Sequence, residues 1–308
     1  MHFFQMKASD DSVFLQDWFI PVFFLRYDMK LNLEFQTLTA TIGAESIGGD
    51  LKKILMTDSN YESTCLRDAL VKHKVLVFRD QHPDSNTHIE IGKKLGRLAP
   101  KHPLYPKVRG HQDIIRIVND DTNPPENEVW HADLSYNANP CFAAVLHGYK
   151  IPAVGGDTLF ADMGAVVTDM SEPFKKFLRG LTAHHSLEHG FKFVHDRSKD
   201  NRSELLKQTS KENYSASHPV LRAHPITGKE ILYVNASFTE HVNELSGPES
   251  KNLLDYLFAL AQGSRYQLRV KWQKGTVLIW DNWATQHFAC GDHYPNHREV
   301  RRVTVQST

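Results

Sequence analysis

The chain has 308 residues, with 36 basic and 36 acidic side chains and a formal net charge of zero. Hydrophobic residues make up 41% and charged residues 23%, an ordinary globular balance. No global basic field argues for nucleic acid or an anionic membrane as partner, so any anion site must be local. Cys65, Cys141 and Cys290 form no C-x-x-C pair, which speaks against a disulfide framework or a thiolate zinc site and fits a reducing cytoplasm.

Residues 1–28 read as an N-terminal appendage and 29–308 as a single domain. The apolar run from Trp18 to Leu25 is interrupted by Pro21, and it is far shorter than the roughly 20 residues that span a bilayer. Asp10, Asp11 and Asp17 precede it, unlike the basic start of a signal peptide. Alternation of Leu31, Leu33, Phe35 and Leu38 predicts a strand over 31–42, followed by a turn at Gly48-Gly49. Helical spacing predicts a helix over 60–74, leading into the apolar strand 75–78. Asp84 or Ser85 caps a further helix running to about Leu98.

From Asp113 onward strands dominate: 114–118, 129–134, 142–151 and 158–160. A helix over 163–181 follows, with Pro173 predicting a break inside it. The polar stretch 192–216 reads as a loop that could act as a lid. Strands resume at 220–223 and 231–234, then an amphipathic helix over 248–262, then strands at 267–272, 277–280 and 302–305. Many short strands with few helices predict a mainly β fold with flanking helices (α+β), a jelly roll or barrel core closed to manage its edges.

The chemistry centres on Val129-Trp130-His131-Ala132-Asp133-Leu134-Ser135. On a strand, His131 and Asp133 face the same way and can grip one ion. Alone, the triplet is weak, because such triplets occur by chance and a hydrogen-bonded structural pair is the better explanation. His287, within Trp280-Asp281-Asn282-Trp283-Ala284-Thr285-Gln286-His287, is the best third ligand. Two histidines and one carboxylate leave open positions, the donor set of non-haem Fe(II) oxygenases.

These motifs resemble the taurine dioxygenase branch of the Fe(II)/2-oxoglutarate-dependent dioxygenases, over about residues 30–306. The family pattern is a His-x-Asp pair, a distal His and an Arg about eleven residues later; here His287 is followed by Arg298 and then Arg302. Gly155-Gly156-Asp157-Thr158-Leu159 is similar to the family's GGDT segment. The resemblance implies a double-stranded β-helix (jelly roll) core holding Fe(II) at His131, Asp133 and His287. It implies 2-oxoglutarate at Thr158 and Arg298, with O2 as the other cosubstrate. A carboxylate at position 133 leaves no room for halide, so the implied reaction is hydroxylation rather than halogenation. It also implies a small anionic substrate, taurine or a related alkylsulfonate first, held by His102, Tyr105, Asn127, Phe191, Phe238 and Arg302, in a homo-oligomer (dimer or tetramer). Alkyl sulfates, aryloxyalkanoates and amino-acid-derived carboxylates are the alternatives within that chemistry. From other classes, a metal-binding sensor without turnover leaves the retained ligands unexplained, and a zinc hydrolase leaves Arg298 and Thr158 without purpose.

Overall fold

A computed structural model describes residues 33–56, 60–100, 105–125, 128–190 and 214–306. The predicted appendage and most of the predicted 192–216 loop lie outside them. In chain order the elements are β1 (Glu34–Thr37), β2 (Ala44–Ile47), α1 (Leu51–Met56), α2 (Asn60–His73), β3 (Val75–Phe78) and α3 (Ser85–Leu95). Next come β4 (Lys107–Val108), β5 (His111–Asn119), β6 (Ala143–Lys150), β7 (Thr158–Asp162), α4 (Met163–Thr168) and α5 (Glu172–Leu178). Then follow β8 (Thr182–Ser186), β9 (Ser215–Pro219), β10 (Leu221–Ala223), β11 (Glu230–Leu232) and β12 (Thr239–Val242). The last are α6 (Gly247–Ala261), β13 (Gln267–Val270), β14 (Val277–Asp281), β15 (Thr285–Ala289) and β16 (Arg298–Val305).

Eight strands form one sheet in the order β1-β2-β3-β14-β6-β16-β5-β4, and a smaller sheet has the order β13-β7-β15. Val75, Val77, Ala144, Leu146, Leu278, Trp280 and Val300 from the large sheet pack with Phe160, Leu268 and Val270 from the small one. Burying these branched and aromatic faces against each other removes apolar area from water at roughly 25 cal/mol per Å². The result is the predicted mainly β, double-sheet jelly roll with helices outside. A second apolar cluster joins α4 and α6 to β8, β10 and β11. Among the described residues no helix is long and apolar enough to cross a membrane.

Local chemistry explains where the elements depart from expectation. The strand predicted over 31–42 ends at Thr37, because the Thr39 hydroxyl donates to Ile42 O (2.6 Å) and accepts from Ile42 N (3.0 Å), a turn that competes with the ladder. The helix predicted over 163–181 is broken as expected, with Pro173 in the first turn of α5. Strands β8, β9 and β12 form a three-stranded sheet that sequence periodicity missed, so residues 215 and 216 belong to a strand and not to the predicted loop. The final strand begins at Arg298, four residues earlier than predicted.

The strand predicted over 129–134 is corrected most sharply. His131 makes one isolated antiparallel bridge to His287, and the chain then turns, with Leu134 at φ 56°. Asn282, not a neighbouring strand, satisfies the backbone of Asp133: its Oδ1 accepts from Asp133 N (2.8 Å) and its Nδ2 donates to Asp133 O (2.9 Å).

Helix α3 lies over β16, and a Cβ at Gly92 would meet Val303 Cγ1 at 2.6 Å and Leu98 Cδ2 at 3.1 Å. In an open helix Gly→Ala gains about 1 kcal/mol, whereas overpacking costs about 1–3 kcal/mol. Gly92→Ala is therefore expected to lower the urea unfolding midpoint; a raised midpoint would show that α3 is not pressed against β16.

Candidate metal centre and anion cavity

Strand β15 is an edge of the small sheet, so one side of its backbone is free to recruit a partner. The His131 segment takes that place: His131 N donates to His287 O (3.0 Å) and His287 N to His131 O (2.8 Å). Directly opposed side chains come close, and the two imidazole centroids lie 4.1 Å apart. The turn held by Asn282 then brings Asp133 alongside, with Oδ1 3.8 Å from His131 Nε2 and Oδ2 4.0 Å from His287 Nε2. One donor atom from each of the three residues lies within 4.8 Å of the others.

The protonation states suit a cation. His131 Nδ1 lies 2.8 Å from Val129 O, a contact that requires Nδ1–H to donate and leaves Nε2 as a free lone pair. Burial lowers the pKa of both imidazoles, and each also lies beside Arg302. Burial pushes the Asp133 carboxyl up, but Arg302, His287 and His131 outweigh it and hold the group at about 2. At neutral pH the centre thus offers two neutral nitrogens and one carboxylate. His287 Nδ1 is buried without a hydrogen-bond partner among the described residues. The donor set fits the Fe(II) that the sequence motifs implied.

Beside these donors is a cavity lined by Thr158, Trp280, Cys290, His293, Arg298 and Arg302, among others. Arg298 is 4% exposed, its Nε donates to Gly156 O (3.1 Å), and its guanidinium carbon lies 5.7 Å from the Trp272 ring centroid. No carboxylate among the described residues pairs with it. Burial lowers its pKa to about 10, so it remains a cation at neutral pH. Gly156 has φ 74°, and a Cβ there would lie 2.9 Å from Arg298 Cδ; glycine is needed for both conformation and space. Thr158 Oγ1 accepts from Trp272 Nε1 (3.0 Å), which leaves the hydroxyl hydrogen available for another acceptor. Thr158 is positioned across from Ala289 on β15 and Val270 on β13.

Arg302 lines the same cavity from the same strand as Arg298. Its Nη1 donates to Asp133 Oδ2 (2.5 Å), its Nε is buried with no partner among the described residues, and its guanidinium carbon lies 5.9 Å from the Tyr105 ring centroid. Phe238 stands edge-on to His131 at 6.2 Å between centroids. The structure therefore gathers His131, Asp133, His287, Thr158, Arg298 and Arg302, with Tyr105 and Phe238 against two of them. His102, Asn127 and Phe191 lie outside the described residues. Sequence reasoning missed three contributors. Asn282 lies within the 280–287 segment that carries His287, whereas Trp272 and His293 carry no spacing signal.

The family model of the taurine catabolism dioxygenase TauD, TfdA family matches residues 34–304. An alkylsulfatase of Acinetobacter baylyi is 34% identical over 276 residues, 89% of this chain and 85% of the relative. An alpha-ketoglutarate-dependent sulfate ester dioxygenase of Pseudomonas putida is 32% identical over 281 residues, 89% of this chain and 90% of the relative. The crystal structure of a taurine dioxygenase from Burkholderia xenovorans superposes with a TM-score of 0.74 at 28% identity, covering 90% of each chain. The chain belongs to the TauD/TfdA dioxygenases, which work with Fe(II), alpha-ketoglutarate (2-oxoglutarate) and O2.

Proposed function

We propose that this enzyme hydroxylates the carbon attached to the sulfur-containing head of an alkyl sulfate ester or alkylsulfonate, with 2-oxoglutarate as cosubstrate. The observation that carries this is the pair of buried arginines, Arg298 and Arg302, on one strand beside the His131–Asp133–His287 donors. Buried cations are costly without counter-charges, and the described residues supply one carboxylate between the two. The geometry supports two bound anions. The similarity to a sulfate ester dioxygenase and an alkylsulfatase favours a sulfate ester over taurine.

The residues divide the work. His131, Asp133 and His287 would hold Fe(II), which when bound couples oxidative decarboxylation of 2-oxoglutarate to succinate and CO2 with insertion of one oxygen atom into a C–H bond. Arg298 and the Thr158 hydroxyl hold the remote carboxylate of the cosubstrate, the guanidinium by its planar fork. Arg302 orients the sulfur oxyanion, with Tyr105 against its guanidinium, and Phe238 excludes water beside His131. His102, Asn127 and Phe191 complete the substrate pocket in this proposal. A hydroxyl placed on the carbon next to the head group makes an adduct that collapses to an aldehyde. The ester then releases sulfate, and the sulfonate releases sulfite.

Three outcomes are expected. Asn282→Ala should weaken Co(II) or Fe(II) binding roughly 10–100-fold, as loss of a ligand-orienting contact typically does; unchanged affinity in a metal titration would show that the carboxamide does not position Asp133. Arg298→Ala should weaken 2-oxoglutarate binding by about 1.5–3 kcal/mol, the worth of a charge-assisted hydrogen bond, while Arg302→Ala should raise KM for the sulfur substrate and spare the cosubstrate. Equal loss of 2-oxoglutarate in both would refute that division. Finally, a panel of alkyl sulfates, alkylsulfonates including taurine, and carboxylates should give sulfate or sulfite alongside succinate. Turnover of carboxylates alone would overturn the substrate assignment and leave the cofactor chemistry standing.

A further inference from the structure

His293 lines the same cavity as Arg298 and Thr158. It is 2% exposed, and its Nε2 is buried with no hydrogen-bond partner among the described residues. The other ring nitrogen, Nδ1, lies 3.3 Å from Cys290 O. Both His293 and Arg298 pack on the glycine that holds the guanidinium: a Cβ at Gly156 would sit 3.0 Å from Arg298 Nε and 3.3 Å from His293 Nδ1. The carbonyl contact requires Nδ1–H, so in the neutral ring Nε2 is a bare lone pair, a group that would repel an arriving carboxylate. Leaving a buried polar atom unmet costs stability, and such atoms in native proteins call for an explanation.

We propose that His293 is a third protein group for the remote carboxylate of 2-oxoglutarate, beside Arg298 and Thr158, and that it takes up a proton as the carboxylate arrives. The imidazolium then donates Nδ1–H to Cys290 O and Nε2–H to the carboxylate, so no lone pair faces the anion. The proton comes from solvent and returns there when the cosubstrate or succinate leaves. This inference rests on the reading that Arg298 receives that carboxylate.

The charged groups around the ring agree with a site waiting for an anion. Burial and Arg298, on β16, hold His293 below the ordinary histidine value. Asp292 and Glu128, from two different loops, oppose that shift without cancelling it. Asp292 is otherwise occupied, its Oδ1 accepting from Gly156 N (2.7 Å) and its Oδ2 lying 3.4 Å from Arg269. Glu128 Oε1 accepts from Gly291 N (2.8 Å), and Asp157 Oδ2 accepts from Arg269 Nε (2.7 Å). None of these three carboxylates forms an ion pair with Arg298 or His293 among the described residues. A bound carboxylate would raise the histidine. Between the free and bound values 2-oxoglutarate affinity should therefore weaken about tenfold per pH unit as pH rises, and it should level off below the free value.

The test is anaerobic calorimetry of 2-oxoglutarate binding to the Co(II)-loaded protein, in buffers of different ionisation enthalpy across pH 5.5 to 8.5 (about three units, spanning the ordinary histidine range). The wild type should take up a fraction of a proton per 2-oxoglutarate bound. His293→Gln, which can donate but cannot titrate, should bind with no proton uptake at this step and a flat pH profile. Wild-type binding without proton uptake, or uptake that persists in His293→Gln, would overturn the proposal. Arg298→Ala separates the two levels: if it binds 2-oxoglutarate as well as wild type, the carboxylate site itself is misplaced. If binding is lost there while the His293→Gln profile stays pH-dependent, only the role of His293 fails.

Discussion

Two peptide hydrogen bonds, exchanged between His131 and His287, hold the candidate site together. They use the free edge of β15, which would otherwise expose unpaired donors and acceptors, to align two segments far apart in the chain. Everything else is placed relative to that pairing. The imidazoles oppose each other because their residues are directly paired. Asp133 joins them because the chain turns immediately afterwards and Asn282 satisfies its peptide N–H and C=O. A strand continuing through Asp133 would need these same peptide groups for a ladder, but Asn282 already takes both, and its Nδ2 also donates to Cys141 O.

The second constraint is electrostatic. A jelly roll interior is built to bury apolar faces, yet β16 sends two guanidinium groups into it. Arginine suits this better than lysine, because its charge is delocalised, weakly hydrated and fixed at neutral pH. The two cations are not equivalent. Arg302 already has a carboxylate at Asp133, whereas among the described residues Arg298 has only a backbone oxygen and an aromatic face. The unpaired cation is the stronger trap for an added anion, and the paired one can lend its remaining donors while keeping its partner. This difference, and not mere proximity, separates a cosubstrate end from a substrate end of the cavity.

Much of this was legible in the chain, and the exceptions have physical reasons. The apolar strands 75–78 and 277–280, and the first half of 142–151, announce themselves because both faces are buried, so apolar side chains run without alternation. His131, Asp133, His287, Thr158 and Arg298 stood out through their joint spacing within the recognised motifs. The strands β8, β9 and β12 are hidden because their histidines, serines and threonines carry no alternating apolar signal, even where they are buried. The conformation at Asp133 was illegible for a different reason. Alternating residues 129–134 look like a strand until a carboxamide roughly 150 residues away takes the backbone bonds a strand would use, and no local pattern encodes that. His293 is equally silent, since its meaning arises only when the loop carrying it folds over Gly156.

Asp133 shows how closely these constraints interlock. Its carboxylate is the one acid between two imidazoles and a buried guanidinium. Burial by itself would favour its neutral form, and only the surrounding positive and polarisable groups keep it ionised. The ionisation is mutual: without a charge on Asp133, Arg302 would become a second buried cation with no counter-ion, alongside Arg298. Replacing the acid by a small residue would therefore do more than open a coordination position. It would leave two unbalanced guanidinium groups four residues apart on one strand and make the cavity demand an added anion at that very place. A carboxylate supplied by the protein meets that demand permanently, which leaves exchangeable anions to be the cosubstrate and the substrate.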